Sequence, residues 1–212
     1  RAPKQEPAQT EKTNRAFLMG MYNVARLQAA NVAKALDLSQ ANTLLDLGGG
    51  PGTYAAAFCA QYPRLSAVVF DRPTSAPVFQ EVIRQCGMGQ RVSFQGGDFF
   101  ASPLPTGFDA VWLSQILHGE SLEKATSLVQ RAAATLNPGG ILAIQEFVLN
   151  DERDGPLGPA LFSLNMLLQT EGGSSYTVSE ISQMMEKAGI LRISEVSAPL
   201  PPGNRIFWGT LG

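Results

Sequence analysis

The sequence predicts an α/β domain: a doubly wound, mostly parallel sheet whose last strand runs antiparallel. Three observations carry this. From residue 43 to 149, short β-branched apolar runs alternate with helix-length runs. Strands covered by helices on both faces have that composition, and the alternation makes them parallel through right-handed crossovers. The first run ends in a glycine cluster, "LLDLGGGPG" (44–52), where a strand hands over to a helix. The last two runs are joined by "LPPGN", too short for a crossover helix, so they pair antiparallel.

The elements follow in order. "RAPKQEPAQTEK" (1–12) is polar and Pro-containing, and reads as a flexible tail or linker remnant. Between 13 and 38, Phe17, Met21, Val24, Leu27, Val32 and Leu36 recur at helical spacing, predicting one or two amphipathic helices. Strands are expected at 43–48, 66–71, 92–97, 108–115 and 141–149, with helices at 53–62, 74–86 and 121–136, the last stopped by "NPGG". "GPLGPALFSLNMLLQT" then reads as an apolar helix, and "TVSEISQMMEKAG" as a helix opened by a Thr177/Glu180 capping box. No internal repeat is present.

Composition narrows the function. The 212 residues suffice for one large domain, 44% of them hydrophobic, with a net charge of -2 and no basic block. A nucleic-acid backbone needs clustered Lys and Arg, so nucleic acid is not the expected partner. No apolar run reaches bilayer-spanning length, so no membrane is expected either. Cys59 and Cys86 lack metal-ligand spacing and read as buried free thiols of a reducing, cytoplasmic setting. One histidine, His118, rules out a metal site built on several imidazoles, and no metal is expected.

Ligands of an open parallel sheet bind beyond the carboxyl ends of its strands, near the switch point. Gly48, Gly50 and Gly52 lie at the end of the first strand. They fit either a tight turn or a nucleotide-like ligand approaching bare backbone, and the strand-to-helix context favours the ligand. The dinucleotide spacing, with the third glycine three residues after the second, is not met. Asp46 beside the loop would repel a pyrophosphate and suits an ammonium or sulfonium group. Asp71 ends the second strand, where a carboxylate can accept from ribose hydroxyls. Asp98, in "GGDFF" after the third strand, is placed for an adenine amino group, and Phe99 for its face. Any one of these acids also fits a surface loop; three at consecutive strand ends point to a site. His118 follows the fourth strand and faces the same crevice, as a general base or as a satisfied structural residue.

Together "LLDLGGGPG", "FDRP", "GGDFF", "LSQILH" and "NPGGILAIQEFVL" resemble, in order and spacing, the S-adenosylmethionine-dependent O-methyltransferases. The branch is that of plant phenolic and bacterial secondary-metabolite enzymes, the acetylserotonin O-methyltransferase-like family. The resemblance covers about residues 13–212, the catalytic domain, and implies a seven-stranded Rossmann-like methyltransferase sheet. It implies cofactor contacts from Gly48, Gly50, Gly52, Asp71, Asp98, Phe99 and Ser114, His118 as general base and Glu146 as its flanking carboxylate. Glu120 is a nearer acid in sequence, read as a helix-start residue. The acceptor, a small hydroxylated and flat aromatic compound, is expected against Met21, Phe162, Asn165 and Met166. Family members carry an N-terminal domain that makes a homodimer; this sequence contains none, so a dimer is expected only of a longer protein. Two departures stand out: Gly119-Glu120 replaces the Asp-Trp pair after the histidine, and Ser175 in "GGSSYT" stands where a second glutamate is usual. They keep open a noncatalytic protein that binds S-adenosylmethionine and, more weakly, a nicotinamide dehydrogenase.

Overall fold

The computed structural model describes residues 11–212; residues 1–10 of the expected tail lie outside it, and Glu11 and Lys12 already belong to the first helix. Helices α1 (Glu11–Ala25) and α2 (Ala29–Ala35) precede strand β1 (Thr43–Leu47). There follow α3 (Thr53–Gln61), β2 (Ser66–Asp71), α4 (Ala76–Gln85), β3 (Val92–Gly96), β4 (Phe108–Ser114) and α5 (Leu122–Ala133). The chain closes with β5 (Leu136–Leu149), α6 (Leu157–Gln169), β6 (Tyr176–Thr177), α7 (Val178–Lys187), β7 (Ile190–Val196) and β8 (Asn204–Leu211). Short 3₁₀ turns occupy Pro73–Ser75 and Leu117–Gly119.

The main sheet runs β3-β2-β1-β4-β5-β8-β7, parallel except for β8, which is antiparallel to both neighbours. The expected seven strands and antiparallel last strand are therefore found. Building outward from β1 to β3 and returning beside β1 with β4 creates the switch point between β1 and β4. Side chains alternate between two cores. Leu44, Val69, Trp112 and Ala143 pack against α2, α3 and α4; Leu45, Phe70, Leu113 and Ile144 pack with residues of α5 and α7.

Two boundaries differ from the sequence reading. Strand β5 begins at Leu136, because "NPGG" is a bulge within it: Phe108 pairs with Leu136 and Ala110 with Ile141. Asn137 holds the bulge by donating to Asp109 Oδ1 at 2.9 Å. The two-residue β6, unforeseen, pairs with the far end of β5. The Thr177/Glu180 capping box forms as expected.

Two burial expectations are corrected. In and just after α1 the predicted stripe of Phe17, Met21, Val24 and Leu27 is exposed, and the helix buries Leu18 instead. The reason is its seat: Asn14 donates to the Thr74 carbonyl, Arg15 pairs with Glu81, and Leu18 packs on Val78 and Val82 of α4. Cys59 is buried, its thiol pushed up to about 11 by desolvation, but Cys86 at the end of α4 is exposed.

Candidate active site

The glycine loop is shaped first by the chain's own side chains. A Cβ on Gly48 would overlap Ile116, which follows β4, so bare backbone lets the β1 and β4 ends close together. Gly50 takes a positive φ of 50° and donates its N–H to Asp71 Oδ2 at 2.8 Å. Gly52 precedes α3 in the left-handed region, and a Cβ there would press on Phe79 and Ile83.

Asp46 lies beneath this loop rather than on its rim. It is 1% exposed, its Oδ2 accepts the Ala55 N–H at 3.2 Å, and a Cβ on the intervening Gly49 would collide with the carboxylate. Burial pushes the carboxyl up to about 7; the Ala55 N–H pulls it down, and the nearby Asp71 charge pushes it further up. Gly49 was not singled out from sequence, where it is one more glycine in a run; only the packed carboxylate shows its use.

Asp71 sits half-buried at the end of β2. Its Oδ1 accepts from the Arg72 N–H at 2.6 Å and the Ser75 hydroxyl at 2.8 Å, and its Oδ2 from Gly50. A carboxylate has about four acceptor sites, so roughly one remains for a ligand hydroxyl. Asp98 is exposed, and its Oδ1 accepts the N–H groups of Phe100 and Ala101, which folds the loop after β3. Phe99 is half-buried and borders Gly48. The structure thus brings Gly48, Gly50, Asp71 and Phe99 to one rim.

Ser114, at the end of β4, opens a polar network that sequence reading missed. Its hydroxyl donates to Gln145 Oε1 at 3.3 Å, and the Gln145 and Gln115 amides both donate to Asn204 Oδ1 at 3.1 and 3.2 Å. Gln115 turns out of the strand at a φ of 58°. On the α3 side the Gln28 amide donates to the Tyr54 hydroxyl at 2.9 Å. Glutamine and asparagine at single positions carry no spacing signal, so only strand register reveals that they meet.

Beyond the β4 end, the Leu117–Gly119 turn presents His118. Its Nδ1 lies 2.7 Å from Glu146 Oε2, with the carboxylate 2% exposed and the imidazole 15%. Glu146 Oε1 accepts the N–H groups of Ile116 and Leu117, both at 2.7 Å. With a carboxylate acceptor on that side, the neutral imidazole carries its proton on Nδ1 and keeps a lone pair on Nε2. Glu120 does not flank the imidazole as a partner; its carboxylate lies 3.9 Å from Lys124, and burial raises its pKa.

The expected acceptor wall is only partly assembled. Phe162 meets the His118 ring edge-to-face, centroids 4.8 Å apart, and Met166 is half-buried. Asn165 is exposed and accepts from Gln169 along its own helix, and Met21 is exposed on α1. Ser175 is buried, its hydroxyl donating to the Pro159 carbonyl at 3.1 Å.

A glycine-loop rim and a carboxylate-held imidazole both stand at the carboxyl edge of a doubly wound sheet, the edge at which this α/β class binds its ligands. The family model of the O-methyltransferase domain matches residues 5–191, and the chain belongs to that family. The 3-hydroxy-5-methyl-1-naphthoate 3-O-methyltransferase of Streptomyces sahachiroi is 35% identical over 201 residues, 94% of this chain and 58% of that enzyme. Human N-acetylserotonin methyltransferase, solved in complex with SAM, superposes with a TM-score of 0.85 at 30% identity, covering 96% of this chain and 57% of that one. An O-methyltransferase family 2 protein of Planctomyces limnophilus, in complex with apigenin, reaches 0.90 at 26% identity, covering 99% and 64%. The chain therefore spans little more than half the length of these relatives.

Proposed function

We propose that the chain transfers a methyl group from S-adenosylmethionine to a hydroxyl of a small aromatic acceptor, with His118 as general base. The observation that carries this is the 2.7 Å contact from His118 Nδ1 to Glu146, a carboxylate anchored by two backbone N–H groups. The SAM of the human relative and the naphthoate and apigenin of the other two support the donor and the aromatic acceptor.

The residues present suit such a donor. Gly48, Gly50 and Gly52 give bare backbone, Asp71 keeps acceptor capacity for a ribose hydroxyl, and Asp98, Phe99 and Ser114 complete the rim. Asp46 supports the loop from below. When bound, the donor supplies a methyl carbon activated by its sulfonium. His118 Nε2 would take the acceptor's hydroxyl proton as that oxygen attacks the methyl carbon, and the donor's sulfur would keep the carbon–sulfur bonding pair. Glu146 fixes the tautomer and balances the imidazolium formed. Phe162 and Met166 stand on the acceptor side, with the exposed Met21 of α1 and Asn165 of α6 as its further contacts.

No helix among the described residues is long and apolar enough to cross a membrane, which supports a cytoplasmic setting. The exposed Phe17 and Val24 of α1, Leu27 just after it, and Leu157, Leu161 and Leu164 of α6 support a further domain covering these helices in a longer, dimeric protein.

Labelled-methyl transfer over a panel of phenols and hydroxynaphthoates tests the reading. His118→Ala is expected to lower turnover at least about 100-fold, while calorimetric affinity for S-adenosylhomocysteine stays within about twofold. Unchanged turnover would remove the general base. Cofactor binding without transfer by the unaltered chain would select the noncatalytic alternative, which the buried, non-acidic Ser175 favours.

A further inference from the structure

We infer that Phe162 is a positioning residue for the His118 imidazole, not merely part of an acceptor wall; this rests on the general-base reading above. Three contacts fix the base, and each restrains a different freedom. Two backbone N–H groups lock the Glu146 carboxylate, and that carboxylate pins Nδ1 at 2.7 Å. One hydrogen bond tolerates tens of degrees of tilt, which would swing Nε2 off a hydroxyl proton. The tilt is set by Phe162, whose ring stands at 88° to the imidazole with centroids 4.8 Å apart. Phe162 is backed in turn by Phe147 of β5, the neighbour of Glu146, at 4.8 Å and 46°.

Helix α6 carries no charged residue, and Pro159 is its one buried side chain. Ser163 and the Pro159 carbonyl tie it to Ser174 and Ser175, and the Phe162 ring is what it sets between Phe147 of β5 and the imidazole. The other titratable groups around the turn are occupied or distant. Glu120 is on the same segment, with Lys124 of α5 beside it and Asp98 influencing it. Tyr176 of β6 donates to the Glu120 carbonyl, and the Phe162 helix is followed by the exposed Glu171.

His118 is the sole histidine of the chain, so its ring protons are assignable by NMR without cofactor or turnover. Phe162→Leu keeps apolar volume and removes the ring. It is expected to move the imidazole proton resonances by tenths of a ppm and to alter their pH titration, whereas Phe162→Tyr leaves both near the wild-type values. With an acceptor that the wild type methylates, Phe162→Leu should lower kcat about 10- to 100-fold, with KM for acceptor and S-adenosylmethionine changed less than about threefold; Phe162→Tyr should restore kcat. Imidazole resonances and titration unmoved by Phe162→Leu, or a raised acceptor KM at unchanged kcat, would overturn the inference. If the wild type methylates nothing, the base reading fails, while nuclear Overhauser contacts from the imidazole protons to their neighbours, which do not depend on the lost ring current, still decide whether Phe162 holds the ring.

Discussion

Helices α3 and α6 flank the same cleft and are both apolar nearly all round, yet their fates differ. In α3, "TYAAAFCAQ", six residues from Thr53 to Cys59 are buried, with Phe58 packed edge-on against Trp112 at 5.2 Å. In α6, "LGPALFSLNMLLQ", Pro159 alone is buried, and Leu161, Leu164 and Leu167 are 58–60% exposed. A helix without a polar face has no preferred side to bury, so its environment decides. Helix α3 is enclosed by the sheet and α2; α6 rests on β5 and the His118 turn. Burial is thus concentrated under the glycine loop, and the side proposed for the acceptor is left largely exposed.

Substitutions can break this contrast. The largest effect is expected from Phe58→Ala, about 3–5 kcal/mol in urea unfolding, because the cavity opens in a sealed core. Next comes Asp46 at the base of the loop. Its folded-state value of about 7 stands above the ordinary 3.8, so the folded chain keeps a proton that the unfolded chain loses. Stability should therefore be greatest below about pH 4 with respect to this group and fall until pH passes about 7. Asp46→Asn should flatten that dependence, removing a slope of roughly 2–4 kcal/mol between pH 4 and 8. A persistent slope in the variant would assign it elsewhere. The smallest effect is expected from Leu164→Ser on α6, within about 0.5 kcal/mol. A loss like that of Phe58→Ala would mean α6 is covered in solution.

The same contrast marks what was legible in the sequence. The alternation of strands and helices, the handover at Gly48–Gly52 and the Thr177/Glu180 cap follow from local pattern, because each is fixed by residues adjacent in sequence. His118, beyond the end of β4, stood out as the sole histidine, whereas its pairing with Glu146 within β5, 28 residues on, was implied only by the family resemblance. The α1 stripe misled: helical period finds a face but not its partner, and Leu18 meets α4 instead. Asp46 looked like a rim acid because depth beneath a loop leaves no mark in sequence. Gln145 and Asn204 were silent for a similar reason, since 59 residues divide them and only register joins them.

That register carries a consequence for how the domain is completed. β8 lies between β5 and β7, and its first residue, Asn204, receives the amides of both Gln115 and Gln145. The strand bearing Glu146 therefore gains its second neighbour from the far end of the domain. During synthesis the half built on β1 to β3 emerges first, but the strand holding the histidine's carboxylate is flanked on both sides only after residues 204–211 have emerged and slotted in.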